Sequence, residues 1–343
     1  MSPNRRAVLA STPALLLALS ACSTGSADDT TAKGGASASA ESGAFPVTIT
    51  HAFGETEVTE APKRIATVGW NDQDVVASFG IVPVGATKIT WGGNAQGSTP
   101  WFDAAVQEVD PDAEIVRYDD ADGIPVAEIA KLTPDLILGV NSGMTEEEYA
   151  KLTKIAPTVG YPDLAWGTPW QESVTIIGKA IGRPDEADRL IEETNQLIDD
   201  AVEENSAVKG KSVAWMSVSP TDMSKIDIYT SIDLRPQLLR RFGMEDADIV
   251  KKNSQGDAFF FSVSAEKARD IDADVLIFYT EDSQIEALKS DPLLSKIPAI
   301  ERGSFVASAD NTVAMTMSSP SPISMEVAVT KFLPSVADAA KAV

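Results

Sequence analysis

The sequence predicts an α/β protein of two lobes with mainly parallel sheets, joined by one long rigid helix. Three observations predict it. The segment Pro184 to Asn205 places Ala187, Leu190, Ile191, Leu197, Ile198, Ala201 and Val202 at the spacing that puts them on one helical face. On each side of it, short β-rich runs alternate with helical patterns, the order that builds parallel sheets. The chain has 343 residues, 43% hydrophobic and 23% charged, which is too long for one small core and has the balance of an ordinary globular protein.

The N-terminus reads as a targeting segment. Arg5 and Arg6 precede an uncharged run, Ala7 to Ala21, too short for a membrane span, so residues 1–21 are expected to be a signal peptide. The run ends in Leu19-Ser20-Ala21-Cys22, and Cys22 is the only cysteine. This resembles the bacterial lipobox, in which the cysteine becomes the lipidated first residue. Asn4-Arg5-Arg6-Ala7-Val8-Leu9 also resembles a twin-arginine signal, and both export routes stay open. Residues 22–44 are almost all Ser, Ala, Gly, Thr and Asp, and are expected to be a flexible tether that cannot bury enough apolar surface to fold.

The first lobe is expected over residues 45–168. Val47 to Thr50 alternates, Phe53-Gly54 turns and Glu55 to Thr59 returns, which predicts a hairpin. Ile65 to Val68, Val82 to Ala86, Glu114 to Tyr118 and Leu136 to Val140 read as strands, with a helix opening near Gly69-Trp70-Asn71-Asp72 and a short one at Pro125 to Lys131. Thr145 and Glu148 form a capping box that opens a helix to Ile155.

Residues 169–209 form the linker, with a helix from about Pro169 to Ile181 and then the backbone helix 184–205, about 33 Å long at 1.5 Å per residue. Pro184 suits a first helical position, and Asp185, Glu186 and Asp188 suit the N-terminal dipole. The second lobe spans 210–343. Ser212 to Val218, Lys225 to Tyr229, Val275 to Tyr279 and Ser304 to Ala307 read as strands, and Leu234 to Phe242, closed by Gly243, as a helix. Val263 to Arg269 and about Ile323 to Ala340 are also expected to be helical.

Composition removes several function classes. Loss of residues 1–21 moves the formal charge from −23 to about −25, and such a body repels nucleic acid phosphates and anionic headgroups. With Cys22 committed to an anchor, neither a disulfide nor a thiol nucleophile remains. The one histidine, His51, falls on the hairpin and reads as a surface strand residue, so Ser-His-Asp hydrolysis and a histidine-built metal site have no support. The five tyrosines, at 118, 149, 161, 229 and 279, are scattered, and no P-loop or G-x-G-x-x-G is present. A binding protein, not an enzyme and without a cofactor of its own, is what remains.

Ile49-Thr50-His51-Ala52-Phe53-Gly54, Ala61-Pro62-Lys63-Arg64-Ile65-Ala66, Leu132-Thr133-Pro134-Asp135-Leu136-Ile137-Leu138 and Ile271-Asp272-Ala273-Asp274-Val275-Leu276-Ile277 together resemble the recurrent segments of periplasmic iron-siderophore binding proteins. The resemblance covers about Phe45 to Val343. It implies a monomer, lipid-anchored on the extracytoplasmic face of the cell membrane, that delivers a ferric siderophore to an ABC permease. A single helical hinge implies little closure on binding.

The siderophore already fills the metal's coordination sphere, so shape, stacking and a few hydrogen bonds must recognise it. The candidates are Trp70, Trp91 and Trp166 in the first lobe and Tyr229, Tyr279 and Met317 in the second. Core packing is the alternative for each. Trp101, Trp170 and Trp215 lie within helical or strand runs and read as core. Arg235 resembles the family's arginine at the start of the helix that faces the cleft, where a guanidinium donates to hydroxamate or carboxylate oxygens; pairing with Asp233 in solvent is its alternative. Catecholate-binding relatives carry further arginines after strands that here end in Asn141-Ser142 and Thr280-Glu281, which favours a hydroxamate complex.

For docking, the resemblance implies one acidic residue per lobe: Glu146, Glu147 or Glu148 in the first and Glu245 in the second. The rival ligands are haem, which would need Tyr118, Tyr229 or Tyr279 as axial ligand, and cobalamin. A surface iron-release enzyme or a sensor are the rivals from other classes.

Overall fold

The computed structural model describes residues 40–219 and 221–343. The expected signal peptide 1–21, the lipidation site Cys22 and most of the tether lie outside the described residues.

An antiparallel hairpin of β1 (Val47–His51) and β2 (Gly54–Val58) precedes the first sheet, with register from Val47 opposite Val58 to His51 opposite Gly54. Gly54 at φ +121° makes the reversal, a conformation open to glycine alone at little cost. The first-lobe sheet is formed by β3 (Ile65–Thr67), β4 (Gly85–Thr87), β5 (Val116–Tyr118), β6 (Leu136–Leu138) and β7 (Thr158–Val159), in the spatial order β5-β4-β3-β6-β7. Every pairing is parallel. Ile65, Ala66, Leu136, Ile137 and Leu138 are all buried, the uninterrupted apolar run expected of strands covered on both faces.

The second sheet comprises β8 (Ser212–Ser219), β9 (Asp222–Tyr229), β10 (Glu245–Asp246), β11 (Phe260–Ser264), β12 (Val275–Tyr279) and β13 (Phe305–Ser308). Its main path runs β11-β9-β8-β12-β13, with β10 pairing β8. The β8, β10, β12 and β13 pairings are parallel, and β9 and β11 join antiparallel. The expected helix at Val263 to Arg269 is therefore corrected. Phe260–Ser264 pairs with β9, and only Ala265–Asp270 turns, as a 3-10 helix.

Between the lobes in sequence runs the helix Pro184–Glu204. Ala187, Thr194, Ile198 and Val202 are its buried face. It packs on the helix Trp170–Ala180, where Gly178 permits the close approach, since a Cβ there would sit 2.5 Å from that of Ala187. Polar clamps fix its first turn and its C-terminal half. Arg183 Nη1 donates to Phe79 O in the first lobe at 2.7 Å, and Arg241 of the second lobe donates to Asn195 and pairs with Asp199 at 2.6 Å.

One apolar cluster runs through the molecule, from Ile65, Val75 and Leu138 through Trp170, Ile177 and Ile198 to Val213, Trp215 and Phe332. The C-terminal helical stretch joins it as Pro322–Val327, a π turn at Ala328–Phe332 and Leu333–Ala340. The π turn lies just ahead of Pro334, whose ring has no N–H to donate and would crowd the carbonyl four residues back.

His51 is corrected. It is 4% exposed rather than on the surface. Its Nδ1 accepts from Phe53 N and its Nε2 contacts Thr56 Oγ1 and the Tyr149 hydroxyl, so the ring pins the hairpin to the helix Glu146–Leu152. Burial lowers its pKa.

Candidate functional site

Side chains that follow the carboxyl ends of strands converge between the lobes, where ligands of open α/β sheets bind. Trp70 follows β3, and its backbone N–H donates to Asn141 O after β6 at 3.1 Å. Trp166 lies beyond β7, its backbone N–H donating to Ser142 O at 3.0 Å. The rings of Trp70 and Trp166 meet edge to face with centroids 5.8 Å apart. Trp166 holds φ +62°, left-handed backbone that costs a bulky residue energy and clusters at ligand sites. Gly143 makes room for it, since a Cβ there would lie 2.3 Å from the indole nitrogen.

On the second lobe, Tyr229 ends β9, Tyr279 ends β12, and Arg235 occupies the first turn of the helix Leu234–Arg241. Asp233 caps that helix, accepting from Arg235 N at 2.9 Å, and its other oxygen accepts from Arg235 Nη1 at 2.8 Å. Arg235 Nε donates to Ser318 Oγ at 2.9 Å. The guanidinium lies 3.9 Å from the Tyr229 ring centroid. Among the described residues its Nη2 has no partner, which leaves N–H donors for a ligand. Burial pushes the Asp233 carboxyl above its ordinary range, with Arg235 opposing the shift. Burial likewise pushes the Tyr279 hydroxyl up.

Two neighbouring cavities share Trp70 and Arg235. One, of about 270 Å³, adds Asn141, Trp166, Asp233, Leu234, Phe259 and Ser318; the other, of about 240 Å³, adds Trp91, Trp215, Met216, Ser217, Tyr229 and Tyr279. Trp70, Trp91, Trp166, Tyr229, Arg235 and Tyr279 are thus brought together. Trp91 and Trp166, 37% and 40% exposed, are large apolar groups open to solvent at the cleft. A larger cavity of about 1050 Å³ lies on the second lobe, lined by Glu245, Lys251, Asp272, Arg302 and others. There Glu245 pairs with Lys251 and Asp272 with Arg302, and none of the aromatic candidates lines it, so the interlobe cleft is the better candidate.

Met317 does not join them. It is fully buried in the core shared by the lobes, and the neighbouring Ser318 lines the cleft instead. Successive helical residues point about 100° apart, so the helix Asn311–Ser318 cannot present both. Trp215 is buried, as its strand position predicts, yet also forms cleft wall, in a three-ring cluster with Tyr279 and Phe332 whose centroids lie 5.6 and 5.5 Å from its own. Trp101 and Trp170 are core. Sequence reasoning missed Phe259, which follows no apolar period but opens the Phe259-Phe260-Phe261 run, and Asn141, whose buried Oδ1 has no partner among the described residues.

The docking candidates are unequal. Glu148 accepts from Thr145 and Ile124 N–H groups, which commits it to local structure. Glu147 pairs with Lys151 at 2.8 Å and Glu245 with Lys251 at 3.1 Å, while Glu146 is exposed and, among the described residues, unpaired. Tyr118 is buried with its hydroxyl donating to Thr67 O, far from serving as a haem ligand. Among the described residues no cluster of three or more His, Cys, Asp and Glu is arranged for a metal, and no helix is long and apolar enough to cross a membrane.

The architecture is that of two-lobed substrate-binding proteins. PiaA of Streptococcus pneumoniae TIGR4, solved in complex with ferrichrome, superposes with a TM-score of 0.81 at 36% identity, covering 86% of this chain and 99% of that one. A periplasmic solute binding protein of Mycobacterium smegmatis superposes at 0.73 with 26% identity, over 86% and 98%. Among sequences, the protein named "Probable siderophore-binding lipoprotein YfiY" of Bacillus subtilis is 31% identical over 240 residues, 68% of each chain. The iron(3+)-hydroxamate-binding protein YxeB of the same organism is 27% identical over 215 residues, 63% of this chain and 59% of that one. The family profile described as periplasmic binding protein matches residues 65–311, and the chain belongs to that family.

Proposed function

We propose that the protein binds a ferric siderophore, a hydroxamate complex in preference, in the interlobe cleft and hands it to an ABC importer, and that it acts as a binding protein rather than an enzyme. The observation that carries this reading is Arg235, stacked on Tyr229 and presenting free N–H donors into a cleft otherwise walled by aromatic rings. Trp70, Trp91 and Trp166 from one lobe and Tyr229, Trp215 and Tyr279 from the other offer flat apolar area to the ligand's organic frame at little entropy cost. Arg235 donates to the metal-bound hydroxamate oxygens, whose charge strengthens such bonds. Asn141 Oδ1 accepts from an amide of the frame. The iron arrives fully coordinated, so the protein needs no metal ligand of its own.

Lipidation at Cys22 would tether the body to the extracytoplasmic face of the membrane, and the monomer would meet its permease through Glu146 on one lobe and Glu245 on the other. The relatives named for siderophore and hydroxamate binding support the ligand class.

A tryptophan-fluorescence titration of the purified protein against ferric hydroxamates, ferric catecholates, haem and cobalamin tests the reading. Saturable submicromolar quenching by a ferric hydroxamate is expected. Saturation by haem or cobalamin alone would overturn the ligand, and no binding at all would overturn the function.

A further inference from the structure

We infer that Asp233 sets the charge selectivity of the cleft, balancing Arg235 so that a ferric complex of little net charge is taken in preference to a polyanionic one. The inference rests on the reading that the cleft holds a ferric siderophore. Among the described residues lining the two cavities, Asp233 and Arg235 are the only charged ones. The walls are otherwise aromatic, aliphatic, hydroxyl or amide. The cleft itself therefore carries no net charge, within a chain whose formal charge is −23.

The geometry makes Asp233 part of the wall rather than a distant counter-ion. Its side chain is buried and lines the cavity that also holds Trp70, Trp166 and Arg235. Its contacts to Arg235 N and Nη1, at 2.9 and 2.8 Å, hold the carboxylate in one place. At 7% exposure that charge is screened less than a surface carboxylate, while salt entering the open cleft still weakens its action on a bound complex.

A ferric ion with three singly charged hydroxamates is neutral, and gains hydrogen bonds from Arg235 without meeting net repulsion. A ferric tris-catecholate carries three negative charges. It meets the attraction of Arg235 and, within the same cavity, the repulsion of Asp233.

Asn and Ser both cap helices well, so Asp233→Asn and Asp233→Ser remove the charge while keeping an acceptor for Arg235 N. Wild type and both variants would be titrated with ferrichrome and with a ferric tris-catecholate, at low and at high salt. In both variants the ratio of the two Kd values is expected to shift toward the catecholate by about tenfold or more at low salt, and to shrink when salt screens the charge. An unchanged ratio, or equal loss for both ligands, would overturn the role of Asp233 while leaving the ferric-siderophore reading in place. Failure of the wild type to bind either complex would overturn that reading, and this inference with it.

Discussion

The guanidinium of Arg235 lies over the ring of Tyr229, its Cζ 3.9 Å from the centroid, and is held by Asp233 and Ser318. A long, flexible side chain is thereby held in one pose before any ligand arrives, so little rotamer entropy is lost on binding.

Arg235→Ala is expected to weaken ferrichrome binding by about 1.5–3 kcal/mol, the range for a hydrogen bond to a charged group. Tyr229→Leu, which keeps the donors but removes the stacking face, should cost about 0.5–2 kcal/mol. Titration of each variant measures this. An unchanged Kd in Arg235→Ala would place the ligand elsewhere.

Trp166 and Trp170 are four residues apart and should behave oppositely. Trp166 is 40% exposed at φ +62°, whereas Trp170 is buried in the shared core. Trp166→Ala should weaken binding and leave the melting temperature nearly unchanged. Trp170→Ala should cost about 3–5 kcal/mol of stability. Thermal melts beside titrations separate the two, and equal destabilisation would sink the distinction.

Helix packing at Gly178 gives a prediction remote from the cleft. A Cβ there would fall 2.5 Å from the Ala187 Cβ, and neither is the movable end of a side chain. Gly178→Ala should destabilise by about 1–3 kcal/mol despite the better helix propensity of alanine. Denaturant unfolding checks the sign, and a stabilised variant would contradict the close approach.

Asp74 supplies a pH dependence. It is buried, accepts from Trp101 Nε1 at 2.6 Å and from Ser321 Oγ at 3.1 Å, and burial pushes its carboxyl up to about 7. The folded state thus keeps a proton that the unfolded chain releases near pH 4. Stability from this group is full below the unfolded value and falls as pH rises toward 7. Asp72, pushed up to about 6, acts in the same direction, and His51, lowered by burial, acts in the opposite one. The difference between wild type and Asp74→Asn isolates the group. Relative to wild type, the variant should gain stability between about pH 4 and pH 8, and a gap independent of pH would refute the assignment.

Much of this was legible in the chain because the signals are local. The apolar stripe from Ala187 to Val202, the Thr145 and Glu148 capping box and the apolar run Leu136 to Leu138 each specify their element without help from distant residues. The failures are tertiary. Val263 to Arg269 has a helical pattern, but Phe261 and Val263 pair with Ile228 and Ile226 more than thirty residues away. His51 shares the inner face of Ile49 by alternation, and only its polarity suggested the surface; Tyr149 packs over the ring and its hydroxyl contacts it. Met317 and Ser318 are one helical step apart, and only the lobe packing decides which of them meets the cleft.

The double clamp on the helix Pro184–Glu204 bears on traffic at the membrane. With Arg183 holding its first turn, Arg241 gripping it at Asn195 and Asp199 and one apolar core running past it, an empty carrier is expected to keep nearly the outline of a laden one. Binding then spends little free energy on closing the walls, and affinity reports fit directly. The cost falls on the importer. Unladen copies would then present the same face and compete for the same socket, so uptake should saturate with the laden fraction of carriers and decline when empty carrier is in excess.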